Sequence, residues 1–162
     1  MLVGISPLIS PDLLVNMYRM GHGDDLVLAD AHFPGHSCNP NVIRADGLMI
    51  SDLLEAILPL MVLDAYVDYP ALMMDAVSGD TADPEIRKNY EIVISRHSSH
   101  AVKVGGIERS EFYERTSRAY IVIMTGDANK YGNIFNLTSV VYFFTAFSIT
   151  LFKFVYFLTN FG

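Results

Sequence analysis

The sequence predicts an α/β fold, a three-layer α/β/α sandwich around a mixed, largely parallel central sheet. Short apolar, β-rich runs alternate along the chain with amphipathic helical stretches, the pattern of strands covered by helices. At 162 residues, 51% apolar and 18% charged, the chain is long and apolar enough for one domain with a sizeable core. No internal repeat and no linker interrupts it before its C-terminal tail.

The elements follow in order. Ser10-Pro11-Asp12 opens a first helix, with a capping hydroxyl, a proline at the first helical position and an acid at the positive end of the dipole. Leu13, Leu14, Met17 and Tyr18 recur at helical spacing, and Gly21 ends the run. Residues 26–29 read as a short buried strand, and residues 32–41, with Pro34, Gly35, Asn39 and Pro40, as a loop. Residues 43–47 suggest a short strand closing in a turn. Ser51 is the expected cap of a second helix bearing Leu53, Leu54, Ile57 and Leu58 and ending near Pro59. Residues 64–67 and 72–77 are candidate strands. Asp83-Pro84-Glu85 repeats the cap signature before a helix with Ile86, Tyr90, Val93 and Ile94 on one face. Gly105-Gly106 reads as loop punctuation, residues 110–118 as a helix and 119–124 as a strand. Gly126-Asp127 makes a turn before Tyr131-Gly132-Asn133.

The tail breaks the pattern. From residue 131 to 152 there is no charge, and Phe, Tyr, Val, Leu and Ile dominate. The length approaches the ~20 apolar residues of a membrane span, but Asn136, several Thr and Ser, and Lys153 dilute it. Residues 1–134 are therefore expected to form the domain, and 135–162 an atypical apolar tail. The first residues of the tail would add a strand beside Asn133 and the rest a helix.

Several functions are excluded by composition. A net charge of −7 with scattered basic residues makes no nucleic-acid surface. A single cysteine, Cys38, permits neither an internal disulfide nor a thiolate zinc cluster, and is a poor nucleophile candidate. The N-terminus lacks the basic start and long apolar core of a signal peptide, which leads to the expectation of a cytoplasmic protein. Gly21-His22-Gly23 lacks the third glycine of a dinucleotide loop.

The segment from Met20 to His32 carries the chemistry. His22 lies between two glycines, so a ligand can approach it closely, and His22, Asp24, Asp25, Asp30, His32 and His36 crowd one stretch of sequence. Metal binding by His32 and His36 is disfavoured because Pro34 and Gly35 break the helical spacing. General acid–base work without metal or cofactor fits better, since an imidazole can give and take a proton near neutrality. Asp30 can orient an imidazole or a substrate hydroxyl. Arg44 and Arg109 can pair with carboxylates, and the Tyr131 phenol can donate or accept.

These residues in this order resemble the family of fucose mutarotases and ribose pyranases, and the fucose branch most. The resemblance is carried by Ile5-Ser6-Pro7-Leu8-Ile9-Ser10-Pro11, Met20-Gly21-His22-Gly23-Asp24, Ala29-Asp30-Ala31-His32-Phe33-Pro34, Ile43-Arg44-Ala45-Asp46-Gly47, Phe112-Tyr113-Glu114-Arg115 and Tyr131-Gly132-Asn133, and covers roughly residues 1–134. It implies a cofactor-free isomerase that interconverts the α and β anomers of L-fucose in the cytoplasm. His22 matches the family's proton donor, and Tyr131 joins it as a catalytic residue. Asp30, Arg109, Tyr131, Gly132 and Asn133 match sugar-binding positions, and Asp64, Met74 and Tyr113 match further pocket residues. Homo-oligomers with sites near subunit boundaries are also implied. Two departures stand out: Ser110 where an aromatic residue is usual, and the apolar tail where a short strand with basic residues is usual. The rival readings are a ribose pyranase acting on D-ribose and a non-catalytic sugar-binding or tail-anchored protein.

Overall fold

A computed structural model describes residues 2–64, 67–98 and 101–135. The expectations for the tail beyond Phe135 lie outside the described residues. Eleven elements and one 3-10 turn follow in chain order: α1 (Pro11–Arg19), β1 (Leu26–Ala29), α2 (Gly35–Cys38), β2 (Val42–Ala45), α3 (Ile50–Ile57), the 3-10 turn Leu58–Leu60, β3 (Ala71–Met74), α4 (Pro84–Arg96), β4 (Val104–Ile107), α5 (Arg109–Arg118), β5 (Ile121–Thr125) and β6 (Ile134–Phe135). The six strands form one sheet in the order β2-β5-β1-β6-β3-β4. All pairs are parallel except those of β6, which runs antiparallel between β1 and β3. The sheet is therefore mixed and largely parallel, as the alternation of elements predicts.

Strand alternation builds the three layers. Leu26, Leu28, Ile121, Ile123 and Ile134 point to one face, where Leu13, Met17, Leu53, Ile57, Tyr90 and Ile94 of α1, α3 and α4 cover them. Val27, Ala29, Val122, Met124 and Phe135 point to the other, against Phe33 and against Phe112 of α5. Because both faces are buried, β1 reads as an unbroken apolar run and β5 as one that ends in Thr125.

Five local expectations change. α1 ends through extended Met20, not through Gly21, and the positive φ of +86° falls on Gly23. Ser51 lies inside α3; the helix start is held instead by Asp127 Oδ2, which accepts the Ile50 N–H at 3.3 Å. The expected loop 32–41 contains the short α2, whose Gly35 leaves no room for a Cβ beside Met124 Sδ. The described residues of 64–67 hold no strand. Gly105-Gly106 lies within β4: side chains there would strike Tyr69, Leu72 and Asp75, so close packing demands glycine in the strand. Phe135, the first residue of the expected tail, is 1% exposed and pairs with Val27 and Leu72.

Candidate active site

The parallel strands end together at one edge of the sheet, the place where open α/β sheets bind ligands. Asp30 follows β1, Met74 closes β3, Arg109 begins α5 directly after β4, and Tyr131 and Asn133 lead into antiparallel β6. Together with His32, Phe33, Tyr113 and Lys130 they line a cleft of about 180 Å³.

Asp30 and Asn133 are the fixed floor of the cleft, both buried. The Asp30 N–H donates to Asn133 Oδ1 at 2.7 Å, and Asn133 Nδ2 donates back to Asp30 Oδ2 at 2.6 Å. Asp30 Oδ1 accepts the His32 N–H at 2.9 Å. Both carboxylate oxygens are thereby engaged, and the strand-end geometry is set by side chain and backbone together.

Tyr131 is the one non-glycine residue at positive φ, +61°, among the described residues. Such backbone costs on the order of 1 kcal/mol and persists only where the surroundings dictate it. Gly132 fixes it from one side: its N–H donates to the Asn129 carbonyl at 3.0 Å, and its carbonyl accepts the buried Tyr90 hydroxyl at 3.1 Å. Burial, reinforced by the charges of Asp127 and Asp30, raises the Tyr90 phenol far above its ordinary pKa, so it remains a hydrogen-bond donor. From the other side the Tyr131 hydroxyl donates to Asp80 Oδ2 at 2.8 Å. Lys130 Nζ donates to the same oxygen. Hydrogen bonds from Lys130, Tyr131 and the Thr81 N–H lower the Asp80 carboxyl to about 2.

Arg109 is exposed at the rim, 5.6 Å over the Tyr113 ring. It has no carboxylate partner among the described residues, which leaves its guanidinium available to a ligand. Arg44, by contrast, pairs with exposed Asp46, and that contact raises the arginine and lowers the acid. Tyr113 stacks at 5.2 Å on Phe33, closing the apolar wall.

The structure thus gathers Asp30, Met74, Arg109, Tyr113, Tyr131 and Asn133, with Gly132 as backbone frame. It does not bring His22 to them within one chain. His22 is exposed in a turn over 21–24, where Gly23 takes the positive φ and Asp24 Oδ2 accepts the Gly21 N–H at 2.7 Å. That turn enters β1 whereas Asp30 leaves it, and four strand residues span roughly 13 Å. The crowding of acids and histidines in sequence is therefore divided between two ends of a strand. Asp24 braces the turn, and Asp25 pairs with Arg115 at 2.8 Å. Asp64 is buried in the segment ahead of β3 and is not among the lining residues of this cleft. No group of three or more metal-ligating side chains occurs among the described residues. Burial raises the Cys38 thiol, which suits packing and not nucleophilic attack. No helix among the described residues is long and apolar enough to cross a membrane. Sequence reading did not single out Asp80, Lys130 or the role of Tyr90; the helical spacing of Tyr90 signals only a core position.

The chain is similar in sequence and in fold to known proteins. An L-fucose mutarotase of Haemophilus influenzae (strain 86-028NP) is 52% identical over 134 residues, 83% of this chain and 93% of that protein. The crystal structure of the fucose mutarotase of Streptococcus pneumoniae in complex with L-fucose superposes with a TM-score of 0.80 at 44% identity, covering 86% of this chain and 99% of the other. Bacillus subtilis RbsD complexed with D-ribose shares the fold, with a TM-score of 0.68 at 20% identity over 88% of this chain and all of that one. Residues 3–141 match the RbsD / FucU transport protein family, and the chain belongs to that family.

Proposed function

We propose that the chain is an L-fucose mutarotase, a cofactor-free isomerase that opens and recloses the pyranose ring. The observation that carries this reading is the joint placement of the Asp30–Asn133 pair, Arg109 and Tyr131 around one cleft. Asp30, Asn133 and Arg109 offer hydrogen bonds and charge to sugar hydroxyls, and Met74, Phe33 and Tyr113 supply an apolar wall. In the reaction the ring oxygen gains a proton as its bond to the anomeric carbon breaks. The anomeric hydroxyl loses its proton and becomes an aldehyde, which rotates and recloses on its other face. One acid and one base suffice. His22 is the acid and Tyr131 stands at the anomeric hydroxyl.

Because His22 lies at the opposite end of β1 from Asp30, the acid for each cleft comes from a neighbouring copy of the chain. The working unit is accordingly a homo-oligomer, in the cytoplasm, in which an exposed histidine turn of one copy meets the strand-end cleft of another. Saturation-transfer NMR on L-fucose and D-ribose tests the reading. Exchange between the anomers of L-fucose, faster than of D-ribose, is expected. Selective exchange of D-ribose would make the chain a ribose pyranase, and binding without exchange a sugar-binding protein.

A further inference from the structure

Tyr131 stands between two cavities. Its ring and Met74 line the strand-end cleft, and both also line an adjoining cavity of about 380 Å³ bounded by Asp75, Asp83, Arg87 and Glu91. The Tyr131 ring is buried in the apolar cluster with Phe33, Met74 and Phe112, and packing of that kind does not orient the hydroxyl proton. The contact that fixes its direction is Asp80 Oδ2, which accepts the hydroxyl proton at 2.8 Å. Asp80 is itself held in place. The turn Val77–Asp80 closes with the Asp80 N–H donating to the Val77 carbonyl at 3.0 Å and Gly79 at a φ of +86°. Asp80 Oδ1 accepts the Thr81 N–H at 2.9 Å, and Lys130 Nζ binds Oδ2.

We propose that Asp80 is a positioning residue for Tyr131: it accepts the hydrogen bond of the phenolic O–H, so that Tyr131 keeps its proton and presents its oxygen lone pairs to the sugar as an acceptor of the anomeric hydroxyl. A hydroxyl has one proton to donate and two lone pairs to receive. Once the proton is committed to a carboxylate, only the lone pairs remain for the substrate, and the charge-assisted bond fixes their direction. Lys130, 5.4 Å over the Tyr131 ring, neutralises the acid without competing for the phenol oxygen. The inference rests on the mutarotase reading of the cleft.

The test uses the full chain with Asp80→Ala, which removes the acceptor, and Asp80→Glu, which restores it. Anomer exchange of L-fucose is expected to fall about tenfold in kcat in Asp80→Ala with KM changed less than about twofold, the size of one lost charge-assisted hydrogen bond. Asp80→Glu should recover most of the loss. A 3-fluorotyrosine placed at position 131 reports the contact independently of turnover, and its fluorine resonance should move in Asp80→Ala and return towards wild type in Asp80→Glu. Unchanged exchange in Asp80→Ala, or an unmoved resonance, overturns the proposal. If the wild-type chain exchanges no sugar, the mutarotase reading fails, and the fluorine resonance still decides whether Asp80 holds the phenol.

Discussion

Asn133 and Asp30 grip each other across the end of the sheet, side-chain amide to carboxylate at 2.6 Å and side-chain oxygen to backbone N–H at 2.7 Å. The grip joins the residue after β1 to the residue before β6, 103 positions away in sequence. Asp30→Asn replaces two acceptor oxygens with one. The new amide can accept from the His32 N–H or from Asn133, and its own N–H₂ opposes the donor it leaves. Sugar exchange should fall by at least about tenfold, and stability by about 1–3 kcal/mol, the cost of a buried polar group left unpaired. Saturation-transfer NMR and urea unfolding check the two effects, and a wild-type rate would move the sugar site elsewhere.

His22 should act without supporting the fold. Its ring is exposed in the turn before β1, so His22→Ala should unfold within about 0.5 kcal/mol of wild type while losing anomer exchange. A mixed oligomer separates action within a chain from action between chains. His22→Ala and Asp30→Asn copies, each nearly inactive, should regain on the order of a quarter of the activity when co-assembled, because random pairing then forms intact shared sites. No recovery would place the acid and the cleft in one chain.

Tyr90→Phe probes the frame under the site. The hydroxyl is the buried donor to the Gly132 carbonyl, and its loss leaves that oxygen unpaired beneath Tyr131. The expected cost is about 1–2 kcal/mol in urea unfolding. KM for L-fucose should rise, because the backbone that carries Tyr131 and Asn133 loosens. An unchanged KM with lowered stability would assign Tyr90 to the fold alone.

How far all this was legible in the sequence depends on range. β1 and β5 announce themselves because both their faces are buried and every residue but Thr125, the last of β5, is apolar. α1 and α4 announce themselves because Ser10 and Asp83 cap locally. β4 hides behind Gly105-Gly106, since what demands glycine there is Tyr69, Leu72 and Asp75 from elsewhere in the chain. The α3 cap hides for the same reason: Asp127 comes from 77 residues downstream. The cleft residues were nameable from the resemblance, but their grouping was not. His22 and Asp30 are neighbours in sequence and opposite in the fold, whereas Asp80 and Tyr131 are 51 positions apart and bonded.

The acid end of the pH profile should carry the mark of Asp80. Its carboxyl is lowered from 3.8 to about 2 by Lys130, Tyr131 and the Thr81 N–H. A carboxyl depressed on folding stabilises the folded state fully above its unfolded pKa, and that contribution disappears as pH falls through the folded value. The difference in urea midpoint between wild type and Asp80→Ala should therefore be constant from neutrality to about pH 4 and shrink between about pH 4 and 2. A difference that already vanishes near pH 6 would mean that another group, and not this carboxylate, is titrating.

Phe135 tests whether the sheet is closed by its last described strand. Among the described residues β6 spans only Ile134–Phe135, yet it is the strand that joins β1 to β3 in the six-stranded order. Its Phe135 ring is 1% exposed, packs edge-on against Phe112 at 4.7 Å, and lies 5.1 Å beneath the Arg115 guanidinium that also pairs with Asp25. Phe135→Ala would empty this position and is expected to cost about 3–5 kcal/mol in urea unfolding, the range of large buried aromatic truncations. Because Asn133 enters β6 directly, exchange of L-fucose should weaken together with stability. Phe135→Leu should recover much of both by refilling the volume without the ring. Ending the chain after Asn133 removes both described β6 residues and should do more damage than Phe135→Ala. An equally stable protein shortened after Asn133 would show that β1 and β3 are held together without this strand.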